Sequence, residues 1–457
     1  MKNLWRAVCA LIGGAMSIGG LWSVGIILPP DPESIPGVAP AAIDEALRAD
    51  AAVPLVVGKT DVLFIIACTL RRDRLEPYGH DRPTSPFLDR LSASGVRLDN
   101  HYAQAPWTRP SVGSIVTGRW PRVLQLDNPG KKGALSLVLG EEHTTLAEVF
   151  AGQGYRTFSA TGNPNIKEVF GFQQGVEQFV EPAGEWRADG IESDDGDLID
   201  ATLDFARTLQ PDERLFARVV LTGVHLPRQI TWRDRGLFTG SQKKLVDPYD
   251  TALRRLDAQI ARLVTGLSER NLLVVVVADH GEGLKLPTHH GAGHGNYLYA
   301  STIHTPFLLH HPSLPAGHVV SGLSMNIDVH PTLLSLLQIH PEHSTDGADL
   351  STAILGSTET GHPRVFSETF FMKSKKSAVV DATHFLIRDN RKNTDTLYAR
   401  SDLGAHTPLS RPATRARLGA VLTAWEAERA ASVTRAAQEI ELSEETRQQL
   451  EVMGYME

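Results

Sequence analysis

The chain has 457 residues, of which 42% are hydrophobic and 21% are charged, proportions that argue against wholesale disorder, a fibrous repeat or a polytopic membrane protein. The formal net charge is −8 and no long run of Lys and Arg occurs, so nucleic-acid binding has no electrostatic support. Only two cysteines are present, which excludes a disulfide scaffold and a multi-cysteine zinc ribbon.

The N-terminal residues have the pattern of a membrane-directed segment. Lys2 and Arg6 precede an uncharged stretch at 7–28, which as a helix would measure roughly 33 Å, enough to cross a bilayer. Because this stretch is longer than the apolar part of a signal peptide, residues 1–30 are predicted to be an uncleaved anchor, with a cleaved signal as the alternative. The basic residues before it predict that the rest of the chain is exported to the cell envelope, anchored or secreted. Residues 31–59, rich in Pro and Ala, are predicted to be a linker.

Three continuous apolar runs follow, at Val62–Ala67, Leu215–Leu221 and Leu272–Ala278. Such runs are typical of strands that are buried on both faces. Between the last two, leucines and an isoleucine recur at intervals of three and four over 253–267, which predicts an amphipathic helix. A strand, a helix and a strand in this order predict a parallel sheet in an α/β domain.

The remaining elements extend this domain and add a smaller one. A capping box, Thr145 to Glu148, predicts a helix at 145–151, and a second helix is predicted at 331–339. After residue 361 the pattern changes to short strands, at 378–380 and 384–387, and then to a polar helical tail. The predicted domains are therefore a main α/β domain at 60–361 and a C-terminal subdomain with a terminal helix at 362–457.

Polar residues follow the three apolar runs. Cys68 follows the first, His225 the second, and Asp279 and His280 the third. Because the carboxyl ends of parallel strands meet at one edge of a sheet, where such folds bind ligands, these side chains are predicted to line a functional site.

A histidine-rich loop follows the third run. It contains His290 and His294, a short distance after Asp279. Several imidazoles near a carboxylate form a set that can bind a transition metal. The alternative is that some of the 18 histidines cluster by chance, and both interpretations stay open.

A separate helix is predicted to begin near Thr108, because Pro110 suits the first helical turn. Unpaired backbone N–H groups at a helix start favour an anion. The Thr108 hydroxyl is a candidate nucleophile if its pKa is lowered. The alternative is that Thr108 only caps the helix.

These segments together resemble the sulfatase family of the alkaline phosphatase superfamily. A single motif would be weak, but the motifs occur in the family's order along most of the exported chain. The matching segments are Val62–Arg71, Thr84–Leu91, Gln104–Pro121, Gly154–Thr157, Ala278–Glu282, Gly293–Asn296, Asn326–Leu333 and Glu444–Tyr455.

The resemblance implies an alkaline-phosphatase-like fold, with a mixed, mostly parallel central sheet flanked by helices and a smaller C-terminal α+β subdomain. It also implies a divalent-metal site that cleaves sulfate or phosphate esters. Carried over by position, the implied roles are metal ligands at Cys68, Asp279 and His280, catalytic groups at Thr108, His225 and His294, and substrate contacts at Asn163 and His290.

The chain departs from the family pattern at its functional positions. Cys68 stands where the family has an aspartate that binds the metal, so zinc is favoured if Cys68 is a ligand, and calcium or magnesium if it is not. Thr108 stands where the family has the Cys or Ser that becomes formylglycine, so no formylglycine is expected. Val112 replaces the arginine of that motif, and His294 replaces a lysine.

Three functions follow from these matches and departures. The first is a sulfatase-like hydrolase of sulfate or phosphate esters with an atypical metal site. The second is a catalytically impaired sulfatase-fold protein that binds its ligand, and the third is a phosphoglycerol- or phosphoethanolamine-type transferase that uses Thr108. In each case the expected partner is a sulfated or phosphorylated small molecule, glycan or lipid, with membrane contact through the N-terminal helix.

Overall fold

The computed structural model describes residues 38–455, with gaps at 49, 51, 127–135, 182–185, 188–189, 192–194, 232–233, 235, 242–243, 287–290, 358–360, 373, 403–406 and 434–437. The predicted anchor and His290 therefore lie outside the described residues. Among the helices of the described part, none is long and apolar enough to span a membrane.

Eighteen strands are found in the described part of the chain. Seven of them have only two or three residues and lie outside the two large sheets or at the edge of the central one. Their bounds are β1 (Asp61–Ala67), β2 (Val96–Tyr102), β3 (Ser136–Leu137), β4 (Arg156–Thr161), β5 (Gln178–Val180), β6 (Trp186–Arg187), β7 (Gly190–Ile191), β8 (Leu215–Leu221), β9 (Leu272–Ala278), β10 (Gly283–Leu284), β11 (Ala292–Gly293), β12 (His304–His310), β13 (His318–Met325), β14 (Val365–Thr369), β15 (Lys376–Val380), β16 (His384–Asp389), β17 (Thr394–Ala399) and β18 (Glu439–Ile440).

The α-helices flank these sheets. Their bounds are α1 (Pro40–Ala46), α2 (Pro86–Ser94), α3 (Thr108–Thr117), α4 (Pro121–Leu124), α5 (Leu146–Gly152), α6 (Asp195–Thr208), α7 (Val246–Gly266), α8 (Ala300–Ile303), α9 (Val329–Leu336), α10 (Ser351–Ile354), α11 (Pro412–Ala431) and α12 (Glu444–Val452).

The central sheet has eight strands in the order β13-β2-β12-β9-β1-β8-β4-β5. Of these eight, β12 alone runs antiparallel to its neighbours. The predicted mixed, mostly parallel sheet is therefore confirmed. The three apolar runs are its innermost parallel strands, and every residue of β1, β8 and β9 is buried.

The register of these strands sets the position of the functional edge. Ala67, the last residue of β1, lies opposite Leu221 in β8 and Ala278 in β9. Two buried hydrophobic clusters cover the two faces, and alternate residues of β1, such as Phe64 and Ile65, enter one or the other. The three strands therefore end at the same level, and the residues that follow them are brought side by side.

The predicted helices form with small shifts at their ends. The capping box is present, because Thr145 N–H donates to Glu148 Oε2 at 2.8 Å and Glu148 N–H donates to Thr145 Oγ1 at 3.2 Å. The helix predicted at 331–339 is α9, which begins two residues earlier and ends at Leu336. It ends there because Gln338 has a left-handed backbone, with φ of 58°.

The C-terminal subdomain is an antiparallel sheet, β14-β15-β16-β17, covered by α11. The predicted strands at 378–380 and 384–387 lie within β15 and β16. Trp425 of α11 stacks on Phe366 and meets Trp120 of the main domain edge to face. The domain boundaries given above stay a prediction.

A buried carboxylate ties the two parts together. Asp328 accepts hydrogen bonds from the N–H groups of Met325 and Ala348 and from His362 Nε2 at 2.9 Å. Burial by itself lowers the pKa of His362, but the hydrogen bond and the charge of Asp328 outweigh it and raise that pKa. The protonated imidazole is therefore favoured in the folded state.

We expect His362→Gln to lower stability more at pH 6 than at pH 9. Because the folded pKa of His362 is raised, its contribution is fully present below the unfolded pKa and is lost as the pH rises through the folded pKa. Urea unfolding of wild type and variant at both pH values measures the difference. The exposed His340 provides the control, because the difference in stability between His340→Gln and wild type should be the same at pH 6 and pH 9. If His362→Gln also lost equal stability at the two pH values, the expectation would be contradicted.

Candidate active site

The carboxyl ends of the central strands bring together the side chains that the sequence singled out. Cys68 follows β1, His225 is the fourth residue after β8, and Asp279 and His280 follow β9. Asn163 comes after the next strand, β4. All five side chains are buried. The candidate site is therefore enclosed at the edge of the central sheet where the parallel strands have their carboxyl ends.

The chain turns sharply after Cys68. Thr69 has φ of 58°, in the left-handed region that is costly for a β-branched residue. Its N–H donates to Asp279 Oδ1 at 3.1 Å, and its carbonyl accepts from the Tyr249 hydroxyl at 2.8 Å. These two bonds hold a strained backbone, which is a feature of functional sites.

Thr108 lies above these strand ends as the first residue of α3. Its Oγ1 lies 3.3 Å from His280 Nε2 and accepts from Asn163 Nδ2 at 3.3 Å. The cap position belongs to Trp107, and no side chain caps this helix. The interpretation of Thr108 as only a cap is therefore wrong, because its hydroxyl points into the site instead of back to the helix.

His280 is oriented to act on the Thr108 hydroxyl. Its Nδ1 lies 2.8 Å from the carbonyl of Gly281, which can only accept, so Nδ1 carries the proton and Nε2 presents a lone pair. Burial, followed by the charge of His294, lowers the pKa of His280 well below its usual value. A neutral imidazole whose lone pair faces a hydroxyl is the arrangement of a base beside a nucleophile.

His225 and His294 form the opposite wall. His225 Nδ1 lies 2.5 Å from the carbonyl of Leu226, so its Nε2 is also unprotonated, and burial lowers its pKa to about 3. The rings of His225 and His294 are 5.0 Å apart between centroids. His294 Nδ1 lies 3.5 Å from Glu282 Oε2.

Glu282 was not among the predicted site residues. Burial raises its pKa, but the neighbouring His294 outweighs burial and the pKa falls to about 2. Glu282 is therefore an anion beside His294. The signal was its place in the Ala278–Glu282 motif, two residues beyond His280.

Asp195 was also missed. Its Oδ1 accepts from Thr222 N–H at 2.9 Å and its Oδ2 from Gly223 N–H at 2.8 Å. It thereby fixes the chain that leads from β8 to His225. The residues next to Asp195 in the sequence do not predict this contact, which joins the start of α6 to the segment that follows β8.

Tyr455 enters the same site from the other end of the chain. Its hydroxyl lies 2.8 Å from Thr108 Oγ1, 3.1 Å from His225 Nε2 and 3.2 Å from His294 Nε2. The side chain is 2% exposed. In the sequence, this tyrosine ends the segment Glu444–Tyr455 that resembles the family's final helix, and no role was predicted for its side chain.

Comparison with known proteins identifies the family. The family model described as Sulfatase matches residues 60–339, more than half of the chain. The chain belongs to the sulfatase family. Arylsulfatase A of Bos taurus is 26% identical over 419 residues, covering 76% of this chain and 80% of that protein. Arylsulfatase A of Homo sapiens is 25% identical over 443 residues, covering 81% and 83%.

Solved structures share the fold. The phosphonate monoester hydrolase SpPMH from Silicibacter pomeroyi has a TM-score of 0.67 at 19% identity, covering 81% of this chain and 96% of that one. A protein solved in complex with its substrate, D-glucosamine-2-N,6-O-disulfate, has a TM-score of 0.67 at 15% identity, covering 82% and 98%. The resemblance inferred from the motifs is therefore confirmed for family and fold.

Sulfatases generally use a divalent metal, calcium. Asp279 Oδ2 is buried without a hydrogen-bond partner among the described residues, and His280 Nε2 lies 3.3 Å from it. Burial and the Asp279 carboxylate raise the pKa of the Cys68 thiol well above its usual value, which keeps the thiol neutral. Two potential metal ligands, Asp279 Oδ2 and His280 Nε2, are therefore close together, where the family motif implies a larger set.

The donor set does not fit calcium or magnesium, which prefer several oxygen ligands. Within the described ranges, no group of three or more His, Cys, Asp or Glu side chains could hold a metal ion. We therefore assign no chemical step to a metal. The zinc site that the sequence favours depends on ionised Cys68 and stays a prediction.

We expect calcium and magnesium to leave the thermal unfolding temperature of the full chain unchanged, because a ligand that does not bind the folded state cannot stabilise it. Thermal unfolding with each ion, and metal content per chain, test this. If calcium raised the unfolding temperature of the wild type but not of Asp279→Ala, the expectation would be wrong. If zinc raised the unfolding temperature of the wild type but not of Cys68→Ser, the zinc site would be established.

Proposed function

We propose that this sulfatase-family protein hydrolyses sulfate or phosphate esters with Thr108 as the nucleophile. The observation that carries the proposal is the contact of the Thr108 hydroxyl with the lone pair of His280, at the carboxyl edge of the sheet. A hydroxyl is a weak nucleophile until an adjacent base accepts its proton. His280, held by the Gly281 carbonyl, supplies such a base.

In the first step, the Thr108 oxygen attacks the sulfur or phosphorus atom and its proton passes to His280 Nε2. The bond from that atom to the leaving oxygen breaks, and the leaving oxygen takes a proton from His294 Nε2. His294 is assigned this role because its Nδ1 lies 3.5 Å from Glu282 Oε2, which leaves Nε2 directed into the site. Asn163 Nδ2, which donates to Thr108 Oγ1, holds the nucleophile in place.

In the second step, water attacks the ester formed on Thr108. The water proton is accepted by His294 Nε2, which gave its proton to the leaving oxygen in the first step, while the bond to Thr108 breaks and the Thr108 oxygen recovers its proton from His280. Sulfate or phosphate then leaves. This two-step route needs no formylglycine, in agreement with a Thr at the position where the family motif has Cys or Ser.

The proposed substrate is a sulfated or phosphorylated small molecule, glycan or lipid. Support comes from the names of similar proteins, which include arylsulfatases and phosphonate monoester hydrolases. We further propose that the protein acts in the cell envelope, held to the membrane by the apolar segment at 7–28 or secreted. That proposal rests on the N-terminal sequence.

A second candidate is a protein that binds the ester or anion without cleaving it. It is favoured by the donor set, since Cys68 stands where the family motif has an aspartate and, among the described residues, no group of three or more His, Cys, Asp or Glu side chains could hold a metal ion. Such a protein keeps the pocket and lacks turnover.

One experiment separates the two candidates. The full chain is incubated with 4-nitrophenyl sulfate or 4-nitrophenyl phosphate, release of 4-nitrophenol is followed, and samples quenched in acid are searched by mass spectrometry for a modified Thr108 peptide. The hydrolase predicts turnover and an adduct that is absent from Thr108→Val. Saturable binding of the esters with neither product nor adduct would support the binding protein.

A further inference from the structure

The hydroxyl of Tyr455 lies where the proposed ester would react. It is 2.8 Å from Thr108 Oγ1, the proposed nucleophile. A reacting sulfur or phosphorus atom must itself approach that oxygen to about 3–3.5 Å. The Tyr455 hydroxyl also contacts His225 Nε2 and His294 Nε2, so it fills the space between the nucleophile and the groups that face the leaving oxygen. An ester that approaches Thr108 from this side therefore reaches it only after Tyr455 has moved.

The ring of Tyr455 is surrounded by other aromatic and imidazole rings. It is enclosed by Trp107 and Phe371, with ring centroids 6.3 Å away in each case, and by the imidazoles of His225 and His294 at 5.8 Å and 5.6 Å. The hydroxyl contacts both imidazoles. These are the contacts that a phenol released from an aryl ester would make at the same place.

The segment that carries Tyr455 is short and lightly attached. Helix α12 has nine residues, and its start is capped by Ser443, whose Oγ accepts from Thr446 N–H at 3.2 Å. Its apolar contacts with the main core come from Leu450, Met453 and Tyr455, with the partly buried Val452 beside them. Ser443 itself is exposed. A unit this small can detach without unfolding the sheet beneath it.

We propose that the segment Ser443–Tyr455 is an intramolecular plug, in which Tyr455 occupies the subsite of the ester's leaving group and the site accepts a ligand only when the segment withdraws. The proposal rests on the proposed function in taking this pocket as the ester site. Closure lowers the apparent affinity for an outside ligand by the fraction of molecules that are open.

Cys68 offers a measure of opening that does not depend on any ligand. Its side chain is buried under the site, since Asn163 Nδ2 contacts both Cys68 Sγ, at 3.5 Å, and Thr108 Oγ1. We follow its alkylation by iodoacetamide on the Cys68 peptide by mass spectrometry, in the full chain. Tyr455→Ala should raise the rate at least tenfold.

Two cap variants make the comparison independent of any damage at Tyr455. Ser443→Ala removes the cap of α12 and should raise the alkylation rate about fivefold. Thr145→Ala removes the matching cap of α5, which belongs to the main domain, and should leave the rate unchanged. Equal rates in all four proteins would overturn the plug.

Affinity for inorganic sulfate, measured by calorimetry, tests the pocket itself. It should rise at least tenfold in Tyr455→Ala and about fivefold in Ser443→Ala, and stay constant in Thr145→Ala. If alkylation rises as expected and no variant binds sulfate, the plug stands and the proposed function fails. If Tyr455→Phe loses turnover while alkylation and sulfate affinity match wild type in every variant, Tyr455 is a catalytic group and the plug is wrong.

Discussion

Replacing Thr108 by Val is expected to lower kcat/KM for a sulfate or phosphate ester by at least about 10³-fold, because the nucleophilic oxygen is removed. Valine matches threonine in shape, so the first turn of α3 and its buried surroundings should be kept. Thr108→Ser retains the oxygen beside His280 and should keep measurable turnover.

The kinetics of both variants are compared with wild type on one ester, with thermal unfolding as the check on folding. The expected pattern is a large fall in kcat for Thr108→Val, a smaller fall for Thr108→Ser, and similar unfolding temperatures. Full activity of Thr108→Val would show that water, or another group, attacks the ester. The two-step route would then be wrong, although the fold and family would be unaffected.

Asp195→Ala is expected to lower the free energy of unfolding strongly, although Asp195 is not a catalytic group in the proposed mechanism. The carboxylate accepts the N–H groups of Thr222 and Gly223, and its removal leaves both donors buried and unpaired. The expected loss in the free energy of unfolding is about 3 kcal/mol. Because these donors lead to His225, kcat should fall as well.

Urea unfolding and ester turnover measure the two effects. Asp195→Asn keeps one accepting oxygen and should lie between wild type and Asp195→Ala. Asp200→Ala, on the same helix, is the matched control, since its carboxylate is 63% exposed and pairs with Arg262 at the surface. It should change stability by less than about 0.5 kcal/mol. An equal loss in both Ala variants would contradict the assigned role of Asp195.

The parts of the fold that could be predicted from sequence are those whose signal is local. The runs Val62–Ala67, Leu215–Leu221 and Leu272–Ala278 are apolar because strands in the middle of a parallel sheet have two buried faces. Once these strands are placed, Cys68 and Asp279 must meet, because the ends of adjacent parallel strands share an edge. That part of the site follows from topology.

Other parts depend on contacts that no local pattern records. Tyr455 and Thr108 are 347 residues apart in sequence. The resemblance of Glu444–Tyr455 to the family's final helix predicts that α12 forms, but it does not say where the end of this segment docks. Similarly, the sequence did not decide whether Thr108 is a helix cap or a nucleophile. Both roles suit a Thr at the start of a helix, and only the direction of its hydroxyl distinguishes them.

The level ends of β1, β8 and β9 bear on how this protein loses its activity. Amides in the innermost strands of a sheet exchange their hydrogens with solvent only when the whole domain opens. Cys68, Asp279 and His280 follow directly on such strands, so their geometry persists for as long as the domain stays folded. In rising denaturant, the proposed activity should therefore persist up to the transition followed by tertiary fluorescence, even where the segment Ser443–Tyr455 has already withdrawn.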